Sequence, residues 1–97
     1  MIKKSLAEKE LQDFELVFNS LAHPTRRHIL IILHSRGDQI TGNIVKRFPD
    51  KWPTISRHLR QLEDAGLISV SKKGRQQIYS LDKDRLHSVV NNFLKWF

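Results

Sequence analysis

The sequence predicts a mainly α-helical domain with one small β-hairpin, and three observations lead to this prediction. Apolar residues recur at helical spacing in several segments, most clearly in residues 53–68. Two segments of strand composition, residues 67–71 and 76–81, follow and are separated by a short run containing Gly74. The 97 residues match the length of one small domain, so we predict a single domain over residues 1–97.

The segment 53–68, PTISRHLRQLEDAGLI, organises the rest of the chain. Its apolar residues stand at i, i+4, i+7 and i+10, which places them on one face of a helix: Ile55, Leu59, Leu62 and Ala65. We expect this face in the core. Gly66 follows the last full turn and is typical of a helix C-terminus.

The outward face of the same helix carries hydroxyl, amide and guanidinium groups: Thr54, Ser56, Arg57, Arg60 and Gln61. Such groups hydrogen-bond base edges and phosphates in a major groove. We expect Arg57, Ser56 and Thr54 to contact bases, with Arg60 or Gln61 as further candidates. The alternative for Arg57 is a surface ion pair with Asp64 or Glu63. A polar helix followed by a hairpin with a cationic tip is the layout of a winged helix-turn-helix.

Three segments resemble the ArsR/SmtB-type winged-helix transcriptional regulators: LAHPTRRHIL (21–30), PTISRHLRQLEDAGLI (53–68) and GRQQIYSL (74–81). The resemblance covers roughly residues 18–97. It implies a DNA-binding regulator, a repressor in function, and a homodimer formed by the first and last helices. Ser56 and Arg57 match the family's recognition-helix positions, whereas Lys51 and Trp52 depart from the small polar residues usual before the proline.

The first half of the chain contains two further predicted helices. Ser5 and Glu8 fit a capping box, so the first helix is expected from Ser5 to about Ala22. Pro24 suits the first turn of a second helix that ends near Ser35 and buries Ile29, Leu30, Ile32 and Leu33. Gln39 and Ile40 are predicted to form a brief strand that pairs with the hairpin.

The helix before the recognition segment is predicted to start at Thr41 as N-cap and to run through Arg47. It would bury Ile44, Val45 and Phe48. Asp50 is predicted to cap the recognition helix, with Pro53 in its first turn. In the hairpin, Lys72, Lys73, Gly74 and Arg75 are expected to join the strands. Val70 and Ile78 are expected on one face and Tyr79 and Leu81 on the other.

Both terminal helices have wide apolar arcs. A last helix is predicted from Asp82, and 97 residues cannot enclose its apolar arc together with that of the first helix. We therefore predict a two-fold homodimer interface rather than packing on the chain's own core alone. The predicted interface residues are Leu11, Phe14, Phe18, Val90, Phe93, Leu94 and Phe97.

The formal net charge of +7 and the pI near 10.2 favour an acidic partner such as double-stranded DNA. Residues 46–75 hold eight Lys or Arg against three acids, so they carry +5 of this charge. We predict phosphate contacts for the cations outside the base-reading set: Lys46, Arg47, Lys51, Lys72, Lys73 and Arg75. A solvated surface without DNA contact is the alternative, particularly for Lys46 and Arg47.

Several classes of function are disfavoured. The chain has no cysteine, no apolar stretch of the about 20 residues that span a bilayer, and no phosphate-loop or nucleophile motif. We therefore predict a cytoplasmic protein that is not an enzyme, has no membrane partner and needs no cofactor. In the resembling family, metal sites use a Cys-x-Cys pair or ligands of the last helix; here only Asp84 and His87 match, and no metal site is predicted.

Two alternatives stay open: a winged-helix module that binds an acidic protein or RNA, and a metal-responsive repressor with a non-thiolate site. The sequence also leaves open whether an effector controls the protein.

Overall fold

The computed structural model describes residues 6–97. Five helices and three short strands follow one another in the order α1 (Glu8–Leu21), α2 (Pro24–Arg36), β1 (Gln39–Ile40), α3 (Thr41–Val45), α4 (Trp52–Asp64), β2 (Ile68–Lys73), β3 (Gln76–Leu81) and α5 (Lys83–Leu94). This architecture confirms the predicted fold class of a mainly α domain with a β-hairpin wing. Among the described residues no helix is long and apolar enough to cross a bilayer.

Helix α4 supplies the centre of the hydrophobic core. Its four predicted core residues, Ile55, Leu59, Leu62 and Ala65, are at most 1% exposed, which confirms the predicted apolar face. They join residues of every other long element in one cluster, including Val17, Ile29, Leu33, Leu67 and Val89. The opposite face of α4 therefore points away from the core.

The first two helices begin differently from each other. Ala7 is extended and α1 begins at Glu8, so the predicted start at Ser5 is wrong; Ser5 itself lies outside the described residues. The Glu10 carboxylate accepts from the Ala7 N–H at 3.4 Å. Helix α2 begins at Pro24 as predicted, and the Nδ1 atom of His23 caps it by accepting from the Thr25 N–H at 3.1 Å.

The interior of α2 is buried as predicted, since Ile29, Leu30, Ile32 and Leu33 are at most 6% exposed. Ile31 is the exception, with 61% of its surface exposed.

The predicted caps of α3 and α4 are both wrong. Thr41 is the first residue of α3 and Ile40 is its N-cap, because Ile40 is held by its pairing with Ile78 and the chain enters the helix directly from β1. Helix α3 ends at Val45 rather than Arg47. Lys51, not Asp50, is the N-cap of α4, since its carbonyl accepts from Thr54 and Ile55.

Gly66 ends the recognition helix, as predicted. Its φ of +76° belongs to the left-handed region that favours glycine, and the Leu67 N–H donates to the Leu62 carbonyl at 3.0 Å. Arg85 of α5 lies beside Gly66 and donates from Nε to the Ala65 carbonyl at 3.2 Å. Its Nη2 atom reaches Asp13 of α1 at 3.1 Å, so one side chain connects α1, α4 and α5.

The wing is a three-stranded antiparallel sheet with the order β1-β3-β2, and the predicted pairing of residues 39–40 with the hairpin is confirmed. Strand β2 extends through Lys73, so the turn contains Gly74 and Arg75 alone, shorter than predicted. Gly74 has a φ of +63° and Arg75 has no positive φ, the pattern of a type II′ turn.

This turn fixes a register that contradicts the predicted faces of the hairpin. Val70 lies opposite Tyr79, whereas Ile78 lies opposite Ser71. Directly opposed residues share a face of an antiparallel sheet. Val70 therefore shares the inner face with Tyr79 and Leu81, and Ile78 is on the other face, beside Ile40.

The terminal helices α1 and α5 pack together. Asp82 caps α5, with its carboxylate accepting from the Arg85 N–H at 2.9 Å, close to the predicted start. An aromatic cluster joins the two helices, with ring centroids 5.4 Å apart for Phe14 and Phe93 and 5.2 Å apart for Phe93 and Phe97.

Candidate nucleic-acid interface

The outward side of α4 carries the predicted base-reading residues. Ser56, Arg57 and Arg60 are exposed, and Thr54 is half-buried near the start of the helix. They alternate along the helix with the fully buried Ile55 and Leu59. Burial of the apolar side therefore fixes the direction in which the polar side points.

The two arginines of this face differ in their surroundings. Arg57 forms no ion pair or hydrogen bond with any residue between 6 and 97, so the alternative pairing of Arg57 with Asp64 or Glu63 does not occur there. Arg60 instead pairs with Asp64 at 3.6 Å, and both side chains are more than half exposed. Exposed pairs of this kind contribute about 0.2–1 kcal/mol, so a phosphate or base can readily displace Asp64.

Gln61 is separated from the other predicted DNA-binding residues. Its side-chain carbonyl accepts a hydrogen bond from Nη1 of Arg26, a residue of α2. The Oε1 atom of Gln61 is therefore bound to Arg26, although the residue itself is exposed. Base contact by Gln61 stays a prediction.

An open cleft of about 500 Å³ separates α4 from the wing. It is lined by Ile40, Thr41, Gly42, Trp52, Ser56, Lys72, Arg75, Gln76 and Gln77. The cleft brings Ser56 of the predicted base-reading set beside Lys72 and Arg75 of the predicted phosphate set. Trp52 is 53% exposed at its edge, and its Cη2 atom would lie 4.0 Å from a Cβ at Gly42.

All six predicted phosphate-contacting cations are exposed. Lys46, Arg47 and Lys51 lie in the connection between α3 and α4, while the other three lie at the tip of the wing. Within residues 6–97 none of the six forms an ion pair. Two groups of free cations therefore flank the outward side of α4.

A buried arginine behind α4 was not predicted from the sequence. Arg26 is 9% exposed and donates to two carbonyls at the end of α1, from Nε to Ser20 at 2.8 Å and from Nη2 to Asn19 at 3.0 Å. Its Nη1 atom contacts Nδ1 of His58 at 3.1 Å and the side chain of Gln61, both on α4. The only sequence signal was an arginine in the apolar pattern of α2.

His58 is held in this cluster by its contact with Arg26. Its ring centroid lies 4.4 Å from that of His23. Burial, and then the neighbouring His23 and Arg26, lower the pKa of His58 from its ordinary value. The neutral ring, with its proton on Nε2, can accept the hydrogen bond of Arg26 at Nδ1.

Among residues 6–97 there is no group of three or more His, Cys, Asp or Glu side chains that could hold a metal ion. The chemistry available on this surface is hydrogen bonding and charge, which suffices to bind nucleic acid.

Comparison with known proteins adds independent information. A family model described as a helix-turn-helix domain matches residues 21–71, more than half of the chain. The transcriptional repressor SdpR of Bacillus subtilis (strain 168) is 39% identical over 82% of this chain and 88% of its own length. A CadC homolog of Staphylococcus aureus, a cadmium resistance transcriptional regulatory protein, is 31% identical over 91% of this chain and 73% of its own.

Solved structures of ArsR-type regulators have the same fold as this chain. The crystal structure of an ArsR family transcriptional regulator superimposes with a TM-score of 0.78 at 30% identity, over 95% of this chain and 90% of that one. An ArsR-like transcriptional regulator from Rhodococcus sp. RHA1 gives a TM-score of 0.80 at 28% identity, over 90% and 81% of the two chains.

Proposed function

The chain belongs to the ArsR/SmtB-type family of winged helix-turn-helix transcriptional regulators, and from this membership we propose that it represses transcription as a homodimer on an inverted-repeat operator. It is a DNA-binding regulator and not an enzyme. The observation that carries the proposal is the free, outward Arg57 next to Ser56 on a helix whose opposite face is fully buried.

In this proposal the two kinds of contact have separate roles. Arg57, Ser56 and Thr54 contact base edges, and Arg60 joins them after leaving Asp64. The cations of the α3–α4 connection and of the wing tip bind phosphates and set the position of α4 in the major groove. Phosphate contacts supply affinity for any duplex, whereas base contacts supply the preference for one sequence.

The homodimer is proposed from the terminal helices. Leu11 is 49% exposed and Leu94 is 57% exposed. Phe97, itself a member of the aromatic cluster of α1 and α5, is 90% exposed. Large exposed apolar residues gathered on one surface favour an interface with another molecule. Two copies related by a two-fold axis would place their α4 helices in major grooves about 34–36 Å apart.

The residues 6–97 share one hydrophobic core, which supports the proposal that residues 1–97 act as a single domain. Occupation of an operator that overlaps a promoter would then exclude RNA polymerase.

Fluorescence anisotropy on duplexes from the protein's own promoter region tests the proposal. We expect binding to one inverted repeat at least about 10³-fold tighter than to a random duplex at physiological salt. The logarithm of the affinity should fall with the logarithm of salt at about 0.9 per neutralised phosphate. Equal affinity for both duplexes would contradict sequence-specific regulation.

The same preparation distinguishes the two alternatives. A module that binds acidic protein or RNA would give no preference for duplex over single strands, and light scattering after size exclusion would show a monomer. A metal-responsive repressor would release its operator when zinc is titrated, whereas we expect unchanged binding.

A further inference from the structure

We propose that Arg26 is a positioning residue for DNA recognition, which acts by locking the recognition helix α4 onto the corner between α1 and α2. The inference rests on the proposed function and adds to it a residue that does not itself touch DNA. It concerns the direction in which Arg57 and Ser56 point.

The contacts of Arg26 divide evenly between the corner and the helix. On the corner, Nε and Nη2 donate to the carbonyls of Ser20 and Asn19 at 2.8 and 3.0 Å. On α4, Nη1 contacts Nδ1 of His58 at 3.1 Å and the side-chain oxygen of Gln61. One rigid guanidinium therefore joins the last turn of α1 to two turns of α4.

The position of these contacts on α4 determines what they control. His58 directly follows Arg57, and Gln61 is four residues after Arg57. The side of α4 that contacts Arg26 therefore adjoins its outward side. The apolar contacts of Leu59 and Leu62 resist separation of α4 from the core, but such contacts are not directional. The directional bonds of Arg26 also resist rotation of α4 about its own axis.

The role of Arg26 is geometric rather than electrostatic. Its acceptors are two backbone carbonyls, an imidazole and a carboxamide, and it has no carboxylate partner within residues 6–97. With 9% exposure, the Arg26 side chain is also largely shielded from DNA phosphates. Side chains that bind DNA, such as Arg57 and Ser56, must be held within about 0.5 Å of their working geometry. Contacts behind them, such as those of Arg26, provide this precision.

A matched pair of substitutions tests the inference: Arg26→Met and Arg27→Met. Arg27 is the neighbouring cation, and its Nη1 atom donates to the Leu21 carbonyl at 2.8 Å, but it makes no hydrogen bond to α4. Both changes remove one positive charge and the bonds to the end of α1, which number two for Arg26 and one for Arg27. Only the first also removes the link to the recognition helix.

We expect Arg26→Met to lower operator affinity about tenfold or more, with random-duplex affinity and its salt dependence changed less than about twofold. Arg27→Met should retain the wild-type ratio of operator to random-duplex affinity. A merely structural role would lower both affinities by the same factor, through the folded fraction, and that result would overturn the inference. Retention of the full ratio by Arg26→Met would overturn it as well.

A second variant keeps the test decisive if Arg26→Met does not fold. The double substitution His58→Leu with Gln61→Leu removes both acceptors on α4 and leaves Arg26 bound to the carbonyls of Ser20 and Asn19. It should lose the same selectivity, and an unchanged ratio would contradict the inference. Failure of the wild-type protein to prefer any operator would instead contradict the proposed function.

Discussion

Phe18 of α1 and Phe93 of α5 meet edge to face, with ring centroids 4.9 Å apart and an angle of 69° between the ring planes. This geometry is favoured by the quadrupoles of the rings and adds about 0.5–1.5 kcal/mol to the burial of their surface. The pair fixes the first and last helices side by side and leaves Leu94 and Phe97 exposed next to it.

The first prediction concerns this exposed apolar surface. Leu94→Asp should prevent dimer formation, because burial of an unpaired carboxylate in an interface costs on the order of several kcal/mol. Light scattering after size exclusion should show a monomer. Ser88→Asp on the exposed side of the same helix is the control and should remain dimeric. A dimer in both variants would place the interface elsewhere.

A second prediction separates base contacts from phosphate contacts. Arg57→Ala should reduce discrimination between operator and random duplex by about 1–3 kcal/mol, the contribution of a bidentate arginine–guanine pair. Lys73→Ala should weaken both duplexes alike and reduce the salt slope by about 1. Salt titrations of both variants give the two quantities, and an identical, unselective loss in each would refute the assignment.

The third prediction tests the end of the recognition helix. Gly66→Ala should lower the free energy of unfolding by about 1–2 kcal/mol, the cost of a left-handed backbone for a residue with Cβ. The new methyl group would also lie 3.1 Å from Nε of Arg85. Gly42→Ala in α3 is the matched control, since its φ is not positive and the nearest atom is 4.0 Å away. Urea denaturation should show the loss at Gly66 alone.

The fourth prediction concerns pH. Because the pKa of His58 is lowered in the folded state, the unfolded chain binds more protons between that lowered value and the ordinary one. Stability should therefore fall as pH decreases through this window. His58→Asn keeps an acceptor for Arg26 and cannot titrate, so its unfolding free energy should depend less on pH. Denaturation between about pH 5 and 8 measures the difference, and parallel curves would contradict it.

The recognition helix was predictable because its signals are local. The spacing of Ile55, Leu59 and Leu62 defines the buried face, while Pro53 and Gly66 mark the two ends. Each of these signals depends on backbone conformation or helical period, which nearby residues determine. The same holds for Pro24 at the start of α2.

The predictions that failed depended on contacts that residue types alone do not reveal. Thr41 has a good capping side chain, but α3 begins directly after Ile40 because Ile40 is paired in the sheet. Asp50 is also a good capping residue, but the first turn of α4 closes on the carbonyl of Lys51. Val70 lies opposite Tyr79 because the hairpin turn has two residues. The bond between Gln61 and Arg26, which is 35 positions earlier in the chain, was not predicted either.

The short exposed stretch of α4 limits how many base pairs one copy of the protein can contact. Residues 54–60 span about 10 Å along the helix axis, the length of about three base pairs. A sequence of about three base pairs occurs very often in any genome, so one copy of the protein alone could not identify a single promoter. In the proposed homodimer, two such contacts at a fixed spacing would supply the selectivity. The aromatic packing of α1 against α5, which shapes the exposed apolar surface, would then also affect which operator is bound.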